Sequence, residues 1–167
     1  MARSILVCIL FIGFSWQSQT GFAGDFQETG KKTEVSDYKG PQDTPKEWGK
    51  EIIILRQPYV EKARKTYPQA KARFQSGQLK GYSFFVTIDL YENNLFENVF
   101  MAVRKISDGK ITAVLATKPV RVKSYQYGKV YVFPESEVID WTITSPDGNE
   151  EGNFIGKFLD EYYTKHR

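Results

Sequence analysis

Alternation of apolar and polar residues with a period of two is clearest between residues 82 and 91, in the run YSFFVTIDLY. Every second residue from Phe84 to Leu90 is apolar, which predicts a half-buried β-strand. The same alternation predicts a second strand over about 97–106 and a third over about 111–117. Asp108 and Gly109 lie between them, and this pair favours the left-handed backbone of a tight hairpin turn.

Three shorter stretches also favour extended backbone. The run EIIIL at 51–55 contains three consecutive β-branched residues, which predicts a short strand or a segment docked on the core. Residues 130–133 and 139–144 predict two further strands. Between them lies the segment FPESEV, in which Pro134 is expected to end the first of the two strands.

Two stretches have the helical spacing of apolar residues. The first follows Pro58, a residue suited to the first turn of a helix, and runs to about Ser76. Pro68 lies inside it and predicts a kink or a restart, because proline has no N–H group for the helix to use. The second stretch, about 150–165, has acidic residues at its start and basic residues at its end, as the helix dipole favours.

The order of helix, strands joined by short turns and closing helix predicts an α+β fold. We expect one antiparallel meander sheet of about five strands, with strong curvature as an option, packed with the N-terminal helical region and the C-terminal helix. The chain of 167 residues, 41% of them apolar, is long enough for one core. We assign a flexible polar lead-in to residues 24–50, because they lack any periodic pattern, and a single domain to residues 51–165.

An apolar run from Ile5 to Trp16 follows the basic Arg3 near the start of the chain and precedes small residues just before Gly24. This pattern is typical of a secretory signal peptide, which we assign to residues 1–23. About twelve apolar residues are too few to cross a bilayer, which needs roughly twenty. We therefore expect an exported protein, periplasmic or secreted, with no membrane span after cleavage; the alternative is an uncleaved tether.

Cysteine and histidine usage excludes several kinds of chemistry. Cys8 is the only cysteine and lies within the predicted signal peptide, so disulfides, thiolate metal sites and cysteine nucleophiles are not expected in the mature chain. His166 is the only histidine and stands next to the last residue, where a general base or a zinc site would lack the partners it needs. We expect no metal and no cofactor.

The run SDGKITAVLATKP, followed by GKVYVFPESEVIDW, by DGNEEGNF and by an amphipathic helix, resembles the YegJ-like bacterial family, known as domain of unknown function 2314. The resemblance covers roughly residues 52–163 and is most specific over 108–154. It implies a fold boundary and, for some members, export, but it implies no catalytic residues. The family is expected to carry a tryptophan in the strand before the hairpin, where this chain has Phe100 and Met101.

Glu135, Glu137 and Asp140 are the candidates for catalysis. Carboxylates at this spacing could act as an acid/base pair or bind a cation, although no ligand-rich calcium loop surrounds them. The architectural alternative is that the glutamates face water while Asp140 accepts backbone N–H groups and Trp141 enters the core. We favour this alternative, because a buried carboxylate needs several such donors.

The candidates for binding are two groups of basic and aromatic residues. One group lies on the first predicted helix, and the other lies in the connection KPVRVKSYQYGK at 118–129. The first group contains Lys62, Arg64 and Lys65, with Lys71 and Arg73 further along; the second contains Lys118, Arg121, Lys123, Tyr125, Tyr127 and Lys129. They could contact an acidic protein, lipid headgroups or an anionic polymer of the envelope, whereas a solvated surface is the alternative. Nucleic acid is not expected, because no binding module is present.

Charge is nearly balanced over the whole chain but is distributed unevenly. The formal net charge is +3, which gives no general affinity for polyanions. The charged residues of 56–80 are mostly basic and those of 135–161 are mostly acidic, which predicts an electrically polar molecule. The sequence thus favours a small exported binding or interaction protein over an enzyme. The alternatives are a carboxylate-dependent hydrolase and an immunity protein against a secreted toxin.

Overall fold

The computed structural model describes residues 35–36, 38 and 47–166. The predicted signal peptide lies outside them, as does most of the predicted lead-in. The described residues form three α-helices: α1 (Glu47–Leu55), α2 (Gln57–Gln75) and α3 (Phe154–Lys165). They also form seven strands: β1 (Val35–Ser36), β2 (Ser83–Glu92), β3 (Leu95–Ser107), β4 (Lys110–Leu115), β5 (Val130–Pro134), β6 (Asp140–Thr144) and β7 (Glu150–Gly152).

All seven strands of the described chain belong to one sheet, in the order β1-β5-β4-β3-β2-β6-β7. β1 pairs with β5 in parallel, whereas every other neighbouring pair is antiparallel. The α+β class is therefore confirmed, but the prediction of a five-stranded antiparallel meander is wrong. β1 and β7 were missed because two or three residues are too few to show an alternating pattern.

The two hairpins at the centre of the sheet follow from their turn residues. Asn93 and Asn94 both have positive φ, and Glu92 pairs with Leu95 across them. Asp108 and Gly109 also have positive φ, and Ser107 pairs with Lys110 across this turn between β3 and β4. Two consecutive left-handed residues give the turn that matches the twist of a β-ribbon, so the predicted hairpin at Asp108 is confirmed.

Helix α2 packs its apolar side against the sheet and forms the main core. Its inward residues Ala63, Tyr67 and Ala70 are buried together with residues of β2, β3, β4 and β6. Trp141 of β6 also enters this core, and its indole N–H contacts the Ala63 carbonyl oxygen at 3.2 Å and the Thr66 hydroxyl at 3.0 Å. The helix is therefore held against the sheet by hydrogen bonds as well as by apolar contact.

Two predictions about the N-terminal region each offered two alternatives, and the structure contradicts one alternative of each. The EIIIL run is the second half of helix α1, with Ile52 buried and Ile54 exposed, so its β-branched residues do not make a strand. Helix α2 does not restart at Pro68, which lies inside it. Pro68 is on the exposed side, where water can bind the carbonyl group that the missing N–H would have met.

The predicted lead-in is partly ordered. Val35 and Ser36 pair with Val130 and Tyr131, and α1 already begins at Glu47. The Tyr38 ring packs next to the sheet, 5.7 Å from the ring of Phe133. This short segment is held because its backbone completes the ladder at β5 and its tyrosine covers apolar surface.

The C-terminal helix was predicted to start too early. Glu150–Gly152 forms β7, which pairs with β6, and α3 begins only at Phe154. Gly152 and Asn153 have positive φ, so the chain turns sharply between the strand and the helix. The amphipathic pattern alone could not show that its first residues extend a sheet.

Candidate functional site

The segment FPESEVIDW forms the corner between β5 and β6. Pro134 has extended backbone and ends β5, and Glu135–Glu137 follow as a single 3₁₀ turn. The Glu135 N–H donates to the Gly109 carbonyl at 2.8 Å, while Val138 and Ile139 are buried. The corner is thus fixed at both ends, which places its three carboxylates in defined positions.

Asp140 is fully buried and accepts hydrogen bonds from the backbone through both of its carboxylate oxygens. Oδ1 accepts the N–H of Trp141 at 2.8 Å, and Oδ2 accepts the N–H of Ile155 at 2.7 Å. Ile155 lies in the first turn of α3, where N–H groups have no partner within the helix. Asp140 therefore caps α3 from a neighbouring strand. The architectural alternative expected backbone donors for Asp140 but did not identify this helix.

Burial raises the pKa of Asp140 from 3.8 to about 6, and backbone N–H groups of Ile155, Trp141 and Phe154 act in the opposite direction. The charged form is disfavoured because no water reaches it, yet it is the form that the N–H groups stabilise. A raised pKa in a cleft would be a sign of catalysis. Here both oxygens already face donors of the fold.

The two glutamates have separate partners. Glu135 is only partly exposed and forms an ion pair with Lys71, with Nζ–Oε distances of 2.6 and 2.9 Å. Glu137 lies close to Tyr38, whose pKa is raised by burial and then by the Glu137 charge. Glu135 therefore does not simply face water, as the architectural alternative had it, because Lys71 lies against it.

On α2, the structure separates the five predicted cations into two sets. Lys71 pairs with Glu135, and Arg73 pairs with Glu151 through distances of 2.6 and 3.0 Å. Lys62, Arg64 and Lys65 are exposed on the outer side of the helix. We call these three residues the α2 basic face.

The α2 basic face is positioned by contacts on both flanks of the helix. The Lys62 ammonium lies 4.7 Å from the centre of the Phe154 ring, and Arg64 Nε is 3.4 Å from the Val138 carbonyl oxygen. Lys65 lies between these flanks on the outermost side, given 100° of rotation per residue. The three cations thus surround the exposed half of one helical turn.

The second predicted group, in residues 118–129, is held to the β2–β3 hairpin by two glutamates. Glu97 accepts the backbone N–H groups of Val120, Arg121 and Val122 at 2.9–3.3 Å. Glu92 accepts those of Lys123 and Ser124. This segment is therefore an ordered loop whose backbone meets the carboxylates.

Tyr125 does not belong to a contact surface, because it is buried against Tyr131 at a ring distance of 5.5 Å. Tyr127 and Lys123 are exposed, and Arg121 is partly exposed. Lys118 and Lys129 are exposed as well. The second group thus offers fewer side chains to a partner than the sequence predicted.

A buried polar network that sequence reasoning missed lies around Asp89. Both of its oxygens meet the guanidinium of Arg56, and it also accepts hydrogen bonds from Asn98 and, at 3.2 Å, from the Tyr91 hydroxyl. The guanidinium also lies 5.5 Å from the centre of the Phe96 ring. Burial and the nearby Asp89 charge raise the pKa of Tyr91 to about 12. With this many partners, the network fastens the α1–α2 junction to β2.

A polar cavity of about 270 Å³ lies beside the turn between β6 and β7 and was also missed. Its lining includes Tyr82, Ser145, Asp147 and Glu151. Hydrogen bonds from Ser145 lower the pKa of Asp147, and Arg73 pairs with Glu151. These acids have partners within the fold.

Two further observations concern metals and membranes. Within the described part of the chain, no three histidine, cysteine, aspartate or glutamate side chains are grouped as metal ligands would be. None of the helices within residues 47–166 combines the length and the apolar character needed to traverse a bilayer.

No family model matches the chain, no curated protein matches it, and no solved structure matches its fold. The resemblance to the YegJ-like family therefore stays a prediction.

Proposed function

We propose that this protein is an exported, non-catalytic binding module of the YegJ-like type, which recognises an anionic partner through the α2 basic face. The observation that carries the proposal is the exposure of Lys62, Arg64 and Lys65 within one turn of a rigid helix. The other two cations predicted on α2, Lys71 and Arg73, are neutralised by glutamates.

The geometry of the carboxylates gives no support to the hydrolase alternative. A general acid or base must reach a substrate proton within hydrogen-bond distance. Asp140 has no contact with water, and both of its oxygens accept backbone N–H groups. Glu135 is held by Lys71. A reaction at this corner would first have to release α3 or break an ion pair.

Electrostatics favours an anionic partner for the α2 basic face. Residues 62 to 65 span about 5 Å along the helix axis, so their charges add within one Debye length of about 8 Å at physiological salt. Glu61 is the acidic residue next to them on the exposed side. The net positive field at this turn attracts acidic proteins, anionic polymers and anionic surfaces, and this attraction weakens as salt rises.

Reversal of the three charges tests the proposal. In the variant carrying Lys62→Glu, Arg64→Glu and Lys65→Glu, we expect retention on a heparin column to be lost, because the field at α2 becomes negative. The measurement is the salt concentration at which each protein elutes. Circular dichroism and a thermal melt establish that the variant is folded, which we expect because all three side chains are exposed.

A matched control reverses three exposed lysines elsewhere, Lys80→Glu, Lys105→Glu and Lys110→Glu, and so changes the net charge by the same amount. We expect this control to elute much closer to the parent protein than the α2 variant does. Equal losses in the two variants would show that only net charge matters, and unchanged elution of the α2 variant would refute the proposal outright.

A further inference from the structure

Two adjacent apolar side chains at the end of α1 are left in water. Ile54 is 69% exposed and Leu55 is 40% exposed, whereas Ile52 on the same helix is buried. Glu51 of this helix accepts a hydrogen bond from the Tyr162 hydroxyl of α3 at 3.3 Å. The exposed pair therefore contributes little to the core, although its helix contacts the rest of the fold.

Helical hydrogen bonds lie on both sides of Arg56, the residue between α1 and α2. The Arg56 N–H donates to the Ile52 carbonyl at 3.0 Å, and the Val60 N–H donates to the Arg56 carbonyl at 3.1 Å. The buried pair of Arg56 and Asp89 fixes this junction to β2. The two helices thus follow one another with little freedom.

The spacing of buried residues places Ile54 in line with the α2 basic face. Ile52, Arg56, Val60 and Ala63 are all buried, so the helical period is kept through the junction. Lys65 lies eleven positions after Ile54, close to three turns at 3.6 residues per turn, so both lie on the same side. Lys62 and Arg64 flank that side on α2. The exposed Ile54 and Leu55 therefore lie on one continuous surface with the α2 basic face.

We infer that this surface docks on an anionic lipid bilayer, with Ile54 and Leu55 entering the headgroup region and the α2 basic face meeting the lipid phosphates. The inference rests on the proposed function and names its partner class. The protein would lie on the membrane and not span it.

Both kinds of side chain fit a lipid surface better than a soluble polyanion. Exposed aliphatic groups gain from transfer out of water, and basic side chains beside them gain from a negative surface potential. A soluble polyanion would use the cations but would leave Ile54 and Leu55 in water. The apolar pair therefore separates the two classes of partner.

The test measures co-sedimentation with vesicles of phosphatidylcholine alone and of phosphatidylcholine mixed with phosphatidylglycerol, using the protein with the N-terminus it has when purified from cells. We expect binding that depends on phosphatidylglycerol and falls with salt. Combining Ile54→Ser with Leu55→Ser should weaken it about tenfold or more, since two partly inserted side chains are removed. The three α2 charge reversals should weaken it by about 100-fold or more.

Val120→Ser is the matched control, because Val120 is 70% exposed on the loop between β4 and β5. We expect it to bind vesicles like the parent. A larger loss from Val120→Ser than from the Ile54 and Leu55 changes would overturn the inference. As a direct readout, Ile54→Trp should show blue-shifted fluorescence with the mixed vesicles; an unshifted spectrum would overturn the inference.

The two proposals fail in distinguishable ways. Heparin retention that depends on the α2 basic face, together with vesicle binding that is absent or unaffected by the Ile54 and Leu55 changes, would leave the proposed function standing and overturn the membrane inference. Heparin retention and vesicle binding that both survive the three charge reversals would overturn both.

Discussion

At the scale of single residues, Asp140 illustrates how partners determine what a buried carboxylate does. It has no exposure to water, and N–H groups of β6 and α3 satisfy both of its oxygens. Loss of solvation opposes its charge, while the N–H groups favour the charge, and the balance leaves its pKa at about 6. Asp140 thus joins β6 to α3, and its contribution to the free energy of unfolding depends on pH.

We predict the direction of that pH dependence from the shift. Asp140 titrates near 6 in the folded protein and near 3.8 when unfolded, so its contribution is most favourable below pH 3.8 and is lost as pH rises through 6. The free energy of unfolding of the parent, compared with Asp140→Asn, should fall by about 2–3 kcal/mol between about pH 4 and pH 7. Urea titrations of both proteins at each pH measure this difference.

The asparagine variant provides its own reference, because it has no charge to titrate at this position. Other groups, such as Glu151 with its lowered pKa, change stability with pH in the opposite direction. They act equally in both proteins and cancel in the comparison. A difference that stays constant with pH, or grows as pH rises, would contradict a raised pKa at Asp140.

Gly152 is a second residue on which the fold depends, because the position has no room for a Cβ atom. Its φ is +78°, and a Cβ added there would overlap the carbonyl oxygen of Trp141 and lie 2.9 Å from Trp141 Cε3. We expect Gly152→Ala to lower the free energy of unfolding by about 2–4 kcal/mol, because the β6–β7 pair or the indole must move. Chemical denaturation monitored by circular dichroism gives this value.

Gly128→Ala separates crowding from backbone strain. Gly128 has the same φ of +78°, but nothing lies within 4 Å of the position its Cβ would take. We expect this substitution to cost only about 1–2 kcal/mol, the cost of a left-handed L-residue. Equal losses for the two alanine variants would show that the contact with Trp141 is not what fixes Gly152.

At the scale of elements, β1 shows how a very short strand can be held in place. Only Val35 and Ser36 pair with β5, so the backbone ladder is small. Tyr38 adds ring contacts with Phe133 at 5.7 Å and Tyr125 at 6.4 Å. Its hydroxyl is buried close to Glu137, but it meets no described residue at the distance and angle of a well-formed hydrogen bond. The ring, not the hydroxyl, therefore holds the segment.

This separation of ring and hydroxyl gives a prediction. Tyr38→Phe should change stability by no more than about 1 kcal/mol, since the buried hydroxyl that it removes lies near Glu137 without a well-formed hydrogen bond. Tyr38→Ala should lower it by about 2–4 kcal/mol, as the ring contacts are lost. Thermal melts of the two variants decide between ring and hydroxyl: a phenylalanine variant as unstable as the alanine variant would mean that the hydroxyl holds the segment.

The elements that sequence could predict are those whose pattern is local. The alternation in β2 and the Asp108–Gly109 turn are visible in the residues themselves. The EIIIL run was harder to predict, because its β-branched residues suggest a strand whereas the chain from Glu47 to Leu55 forms a helix. β7 was hidden because its three residues match the acidic start of an amphipathic helix.

Among the site residues, too, sequence could predict local features but not contacts between distant residues. Asp140 could be foreseen as a backbone acceptor, but its partner Ile155 is fifteen residues away and only the fold brings it close. Arg56 and Asp89 are separated by 33 residues, so their pairing leaves no local pattern. Glu97 did give a signal, since it occupies an inward position of the alternation that continues with Val99 and Met101.

At the scale of the whole molecule, the fold partly cancels the charge separation seen along the sequence. The basic stretch in α2 lies against the acidic C-terminal part, and two ion pairs, Lys71–Glu135 and Arg73–Glu151, join them. The α2 basic face is the exposed part of that stretch. The net charge therefore says little about partners. The position of the exposed cations on α2 indicates the side from which an anionic partner would approach.

The sheet order has a consequence for how the chain acquires its shape. β2 lies between β3, which follows at once, and β6, which starts at Asp140. The surface under α2 is therefore incomplete until the last thirty or so residues are available, and contacts this far apart form slowly. A chain emerging from the ribosome therefore cannot complete its core before the strand that begins at Asp140 has been made.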